Sequence, residues 1–169
     1  MVEVILRAVR VDVGTSTPLL LLEEVGGSRV LPIFIGAPEA TAIAYALQNV
    51  ETPRPMSHDL LGNVISALGA QLFSVEITEL ENNTFFANLR IVRAGAEIEV
   101  SARPSDAVAL ALRVGAPILV NDELMAAEGR VMQLDDDDDD AASEGRSEAE
   151  QVAELRQFLD SINPEDFNR

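Results

Sequence analysis

Apolar and polar positions along the chain fall into short runs with two distinct periods. Val2, Val4, Leu6 and Ala8 occupy every second position, and Val9, Val11 and Val13 continue in the opposite phase. A period of two marks a strand, and the change of phase predicts a bulge near Ala8-Val9. Pro18 to Val25 is a second strand, leucine-rich at its centre and expected to be buried on both faces. Gly26-Gly27 predicts a hairpin turn, and Val30 to Ile35 a third strand. The period then becomes helical over Ala37 to Asn49, with Pro38 suited to the first turn and Ala40, Ile43, Ala44 and Leu47 as the apolar stripe. Thr52-Pro53-Arg54-Pro55 is a stiff connector. Ser57 reads as the N-cap of a second helix with Leu60, Leu61, Val64, Ile65 and Leu68 on its packed side, closed by Gly69.

The second half follows the same order. Strands are expected at Leu72 to Leu80, Thr84 to Arg93 and Glu97 to Ala102, with turns at Asn82-Asn83 and Ala94-Gly95. A helix over Ser105 to Val114, a short strand at Pro117 to Val120 and a short helix over Asn121 to Glu128, capped by Asn121 or Asp122, complete it. Strands grouped before helices predict an α+β fold, a mostly antiparallel sheet with packed helices. Residues 33–47 and 98–112 also resemble each other: each is a strand running through a proline into an alanine-rich helix with an acid in its first turn. Glu39-Ala40-x-Ala42-Ile43-Ala44 aligns with Asp106-Ala107-x-Ala109-Leu110-Ala111 once a gap is allowed. An internal duplication of a three-strand, two-helix unit is expected, with chance likeness of two alanine-rich segments as its alternative.

Residues 135–149 change character. Asp135 to Asp140 is a run of six aspartates, followed by Ala, Ser, Glu and Gly, and reads as a self-repelling, solvated linker. Beyond it Val152, Leu155, Phe158, Leu159 and Ile162 stand at helical spacing. The expected organisation is therefore a domain at 1–134, a linker at 135–149 and an amphipathic helix with its tail at 150–169.

Composition narrows the chemistry. The chain has 169 residues, 47% of them apolar, enough for a real core. It has no cysteine, which excludes disulfides and thiol chemistry. All twelve basic residues are arginine, which excludes a lysine phosphate loop and a lysine Schiff base. No apolar run reaches membrane-spanning length and no signal peptide is visible, so a cytoplasmic protein is expected. Net charge is −17, of which residues 1–134, with 16 acids and 9 arginines, carry −7. An acidic body argues against a broad nucleic-acid surface and leaves room for a local arginine patch. Phe34, Phe73, Phe85 and Phe86 fall in strand patterns and are expected in the core rather than on a base-stacking platform.

Two segments carry candidate chemistry. Arg54-Pro55-Met56-Ser57-His58-Asp59 holds the single histidine, in the first turn of a helix beside an acid. His58 can serve as general acid or base, and Arg54 with the helix start can hold a phosphate. The plainer alternative is that Ser57 and Asp59 complement the helix dipole and His58 is a boundary residue. In Arg103-Pro104-Ser105-Asp106, Asp106 can hold a metal or a water and Arg103 a phosphate; the plainer alternative is an ordinary helix start, and Glu39 has the same pair of readings. A metal-assisted phosphodiesterase would use carboxylates such as Glu39, Asp59 and Asp106 around a divalent cation such as magnesium or manganese. No metal-binding spacing supports that reading, and the ligands are unassigned.

Leu31-Pro32-Ile33-Phe34-Ile35-Gly36 with Glu39-Ala40, then Arg54-Pro55-x-Ser57-His58-Asp59-Leu60, then Arg103-Pro104-Ser105-Asp106-Ala107-x-Ala109-Leu110-Ala111, resemble the bifunctional nuclease family, also called the BFN domain, over residues 2–130. Phe158-Leu159-Asp160-x-x-x-Pro164-Glu165-Asp166-Phe167 resembles an extension of some members. Where the family pattern often has threonine this chain has Ser57, which keeps the hydroxyl. The resemblance implies a compact α+β domain that forms homodimers, and a nuclease with DNA and RNA as substrates, but no agreed catalytic set. The expected catalytic candidates are His58, Asp59, Asp106 and Glu39, with Arg54, Ser57, Arg103 and Ser105 for phosphate. The alternative is a non-catalytic dimeric module for a protein partner or a small anion, with the C-terminal helix docking on its own domain or on that partner.

Overall fold

A computed structural model describes residues 1–131 of the chain except Val13. The expected acidic linker and C-terminal helix lie outside the described residues. The elements run β1 (Val2–Val11), β2 (Pro18–Glu24), β3 (Arg29–Phe34), α1 (Ala37–Leu47), α2 (Ser57–Ala67), β4 (Ala70–Glu81), β5 (Thr84–Arg93), β6 (Ala96–Ala102), α3 (Pro104–Val114), β7 (Ile118–Val120), α4 (Asp122–Glu128) and β8 (Arg130–Val131). The fold is α+β, as the grouping of strands before helices predicts. No helix among the described residues is long and apolar enough to cross a membrane.

The strands form one sheet in the order β6-β5-β4-β7-β1-β2-β3-β8. Two antiparallel meanders, β1-β2-β3 and β4-β5-β6, are joined by β7, which pairs antiparallel with β1 and parallel with β4. This junction belongs to the core: Ile118 lies between Val4 of β1 and Val75 of β4, and Val120 between Val2 and Ile77, all buried except the partly buried Val2. Leu20, Leu21 and Leu22 of β2 are buried consecutively, as a continuous apolar run requires. The β4–β5 turn places Asn82 and Asn83 both at positive φ, where asparagine is among the better-tolerated side chains. The bulge in β1 falls at Arg7, between the pairs Leu6↔Leu22 and Ala8↔Leu21, one position before the expected place. The order of three strands then two helices occurs twice, but β7 interrupts the second round, so the order does not establish the expected duplication.

Helix α3 is the hub of the helical layer. Seven of its residues are buried, Pro104, Ser105 and Ala107 to Ala111, and it packs against α1, α2, β4 and β5. Its alanines remove bulk on the sides that meet other helices, and Gly115 in the left-handed conformation ends it. Asn121 caps α4, accepting from the backbone N–H groups of Glu123 and Leu124.

Three expectations are overturned. The N-cap of α2 is Met56, not Ser57, which is the first helical residue; the backbone N–H of Met56 donates to Asp59 Oδ2 at 2.8 Å. The leucines of α2 do not pack inward. Leu60 and Leu68 are 55% and 58% exposed, Leu61 and Val64 are exposed too, and only Ile65 packs on the core. The opposite face, with His58 and Gly62, meets α3, because a Cβ on Gly62 would lie 3.1 Å from Val114 Cγ1 and 3.7 Å from Leu110 Cδ1. Phe34 and Phe73 are exposed rather than core, Phe73 at 67% because the register shift between Leu72 and Ser74 turns it outward, and Phe86 is also exposed; Phe85 packs against the core.

The close approach at Gly62 predicts that Gly62→Leu destabilises the protein by about 1–3 kcal/mol through overpacking. A lower urea midpoint at unchanged slope would register this; an unchanged midpoint would mean that α2 does not need the contact.

Candidate functional site at three helix starts

Glu39, Asp59 and Asp106 each stand third in their helices, α1, α2 and α3. A carboxylate at this position is favoured by the helix dipole and by nearby unpaired backbone N–H groups. Here the fold adds side-chain partners from other elements. Arg103, at the N-cap of α3, donates through Nε to Asp106 Oδ2 at 2.7 Å and pairs through a terminal nitrogen with Glu39 Oε1 at 2.8 Å. The two acidic helix starts of α1 and α3 therefore share one guanidinium. His58 Nε2 lies 3.0 Å from Asp106 Oδ1, tying the start of α2 to the same carboxylate.

A second pair runs alongside. Arg113, in the last turn of α3, donates to Asp59 Oδ1 at 2.5 Å, to the carbonyl of Ala42 at 2.9 Å and to its own helix at Ala109 at 2.8 Å. Its side chain is only 10% exposed, so one guanidinium joins α1, α2 and α3 in a largely dry place. Arg113 was not among the sequence candidates. Its signal was present: seven residues after Asp106 is two helical turns, which puts both on one face of α3.

The remaining candidates scatter. Arg54 is exposed in the connector and makes no ion pair among the described residues. Ser57 is exposed at the start of α2, and Ser105 is buried within the first turn of α3. The structure thus joins His58, Asp106, Arg103 and Glu39 in one chain of contacts, pairs Asp59 with Arg113, and leaves Arg54, Ser57 and Ser105 outside it.

The electrostatics follow from these contacts. Burial pushes the Asp106 carboxyl up, but the hydrogen bonds and charges of Arg103 and His58 outweigh it and hold the group below the usual range. Burial likewise works against Asp59, and the Met56 N–H, Arg113 and the His58 charge bring it below its ordinary value. An ionised carboxylate only accepts hydrogen bonds, so His58 must donate from Nε2, leaving Nδ1 with a lone pair when the ring is neutral. That is the arrangement of an oriented base beside an arginine. His58 and Asp59 also line a cleft of about 510 Å³ between α2, the end of α3 and the beginning of β4. Among the described residues no three histidine, aspartate or glutamate side chains converge as metal ligands, and Glu39, Asp59 and Asp106 all already accept from arginine. This donor set does not fit a divalent cation.

Residues 20–133 match the model of the bifunctional nuclease domain. The chain belongs to the bifunctional nuclease domain family. Every residue of the helix-start cluster lies within that domain. An uncharacterised protein of Mycobacterium tuberculosis is 46% identical over 165 residues, 98% of this chain and 97% of that protein. Bifunctional nuclease 1 of Oryza sativa subsp. indica is 29% identical over 106 residues, 61% of this chain and 32% of that protein. Bifunctional nuclease 1 of Arabidopsis thaliana is 28% identical over 121 residues, 70% of this chain and 37% of that protein. The aligned part spans about a third of each plant protein.

Because the Asp59 and Asp106 carboxyls lie lower in the folded than in the unfolded chain, they add stability above the unfolded value of 3.8. That contribution is lost as pH falls through their folded values. Unfolding free energy should therefore drop as pH is lowered from about 4 toward 2. Asp106→Asn should be less stable at pH 7 and show a shallower acid decline; an acid decline as steep as wild type would mean that Asp106 is not held by these partners.

Proposed function

We propose that the chain hydrolyses phosphodiester bonds of DNA or RNA, with His58 as general base. The observation that carries this reading is the His58–Asp106–Arg103 contact chain: an oriented imidazole with one lone pair, next to a cation 67% exposed. Family membership and the names of the plant relatives support the substrate class.

In this mechanism a water beside His58, on its Arg103 side, gives its proton to Nδ1 as its oxygen attacks phosphorus. The P–O bond to the leaving oxygen then breaks, that oxygen takes a proton from solvent, and His58 returns its own proton to solvent to restore the neutral ring. Asp106 accepts from Nε2 and stabilises the imidazolium that forms. Arg103 faces the charge growing on the phosphoryl oxygens, and the exposed Arg54 and Ser57 supply further phosphate contacts. Glu39 and Asp59 act indirectly, holding Arg103 and Arg113 in place. Ser105, buried, packs the helix start. The cytoplasmic setting expected from the sequence belongs to this reading.

The test is cleavage of labelled single- and double-stranded DNA and RNA by wild type and His58→Ala, prepared identically, with magnesium, manganese or chelator. The expected loss in His58→Ala is about 10²–10⁴-fold in kcat. Equal cleavage by both proteins would remove His58 from the reaction and point to a contaminant.

A second reading, a non-catalytic dimeric binding module, is favoured by the exposed apolar face of α2. Leu60, Leu61, Val64 and Leu68 form a stripe that a homodimer would cover. Under it the protein scatters light as a dimer and Leu60→Glu/Val64→Glu as a monomer with unchanged circular dichroism. A monomeric wild type would sink this reading.

A further inference from the structure

We infer that the cleft beside His58 is a pocket for one unpaired nucleobase, so that the protein engages a single nucleotide or a frayed strand end rather than a continuous duplex. The placement of the phosphate in this argument rests on the proposed hydrolase reading; the occupant of the cleft is argued from its walls.

The cleft measures about 510 Å³, within the usual range of about 300–1,000 Å³ for small-ligand sites. Its charges are already spent: Asp59 and Arg113 pair with each other across its wall at 2.5 Å. A phosphate placed inside would find no unpaired cation, and a cation no unpaired carboxylate. What the walls do offer is neutral hydrogen bonding on an apolar base. Asn63 and Ser66 come from α2 and Gln71 from β4, together presenting two amides and a hydroxyl. Ile65, Leu72 and Val114 supply apolar surface in the same cleft.

This combination suits a flat ring with donors and acceptors along its edge. Asparagine and glutamine amides match such an edge with paired donor and acceptor atoms, while the apolar residues meet the ring face. A purely aliphatic ligand would strand the three polar groups, and an ionic one would lack a counter-charge. His58 lines the cleft and also touches Asp106, so it marks the passage from the base to the Arg103 side, where the phosphate would lie.

Charge limits how much nucleic acid can follow. Residues 1–134 carry a net −7, and two of the arginines near the site are committed to carboxylates. Such a body repels a long polyanion. Binding energy must then come from one base held in a pocket, and a paired base cannot enter without leaving its stack.

The probe is adenosine 5′-monophosphate, titrated calorimetrically against wild type, Ser66→Phe and Gln71→Ala, with ribose 5-phosphate as the ligand that lacks a base. Wild type should bind the nucleotide about tenfold or more tighter than ribose 5-phosphate, the worth of one paired edge contact. Ser66→Phe, which fills the cleft, and Gln71→Ala should each remove most of that difference and leave ribose 5-phosphate binding unchanged. Circular dichroism confirms that both variants fold. Equal affinity for the two ligands, no binding of either, or a preference untouched by both substitutions would overturn the inference. The readout needs no cleavage. An inactive protein that still shows the base preference would sink the hydrolase reading alone. An active one that binds both ligands equally would sink the pocket alone.

Discussion

One carboxylate ties the starts of the three longer helices to one another. Asp106 is the third residue of α3, and its two oxygens take Arg103 and His58 from different directions. Through Arg103 it is bound to Glu39 and the start of α1; through His58, to the start of α2. Arg113 repeats the linkage further along α3, reaching Asp59 on α2 and the backbone of α1. Among the described residues no other polar side-chain contact joins the three helix starts.

The orientation of α2 is the clearest consequence. Its leucines would gain about 1.5–3 kcal/mol each by full burial. Turning the helix to bury them would carry His58 and Asp59 away from Asp106 and Arg113. It would leave the Arg113 guanidinium, only 10% exposed, without its carboxylate partner, a loss of up to about 3–5 kcal/mol. It would also put leucines where only Gly62 fits against Val114 and Leu110. The charged contacts and the close helix approach act together and outweigh partial burial of an apolar stripe. That stripe is left for solvent or for another surface.

The same arrangement bears on chemistry. Every carboxylate near His58 is neutralised by an arginine, so the site presents an oriented imidazole without a free acid to repel a phosphate. The cost is that the arginines are partly occupied, and the acidic body adds no long-range attraction. On the proposed reading, such a site would hold one group closely rather than gather a polymer.

Much was legible in the chain because it is local. Alternation of apolar residues reports strands, since successive side chains point to opposite faces whatever lies beyond them; the turn at Asn82-Asn83 and the α+β class follow from the same short-range rules. The acids at Glu39, Asp59 and Asp106 were visible as helix starts for that reason. Other features depend on partners distant in sequence. Arg113 reaches Asp59 from 54 positions away, so its role became visible only when α2 lay on α3. Phe73 turned outward because a bulge against β5 shifted its phase, and the pattern of β4 alone does not contain its partner strand. The leucines of α2 read as a packed face because a moment has a direction but no neighbour. Periodicity determined which elements form and which sides are apolar. Tertiary structure decided which side faces in, because that choice is a competition between apolar burial and the pairing of charges brought together only by the fold.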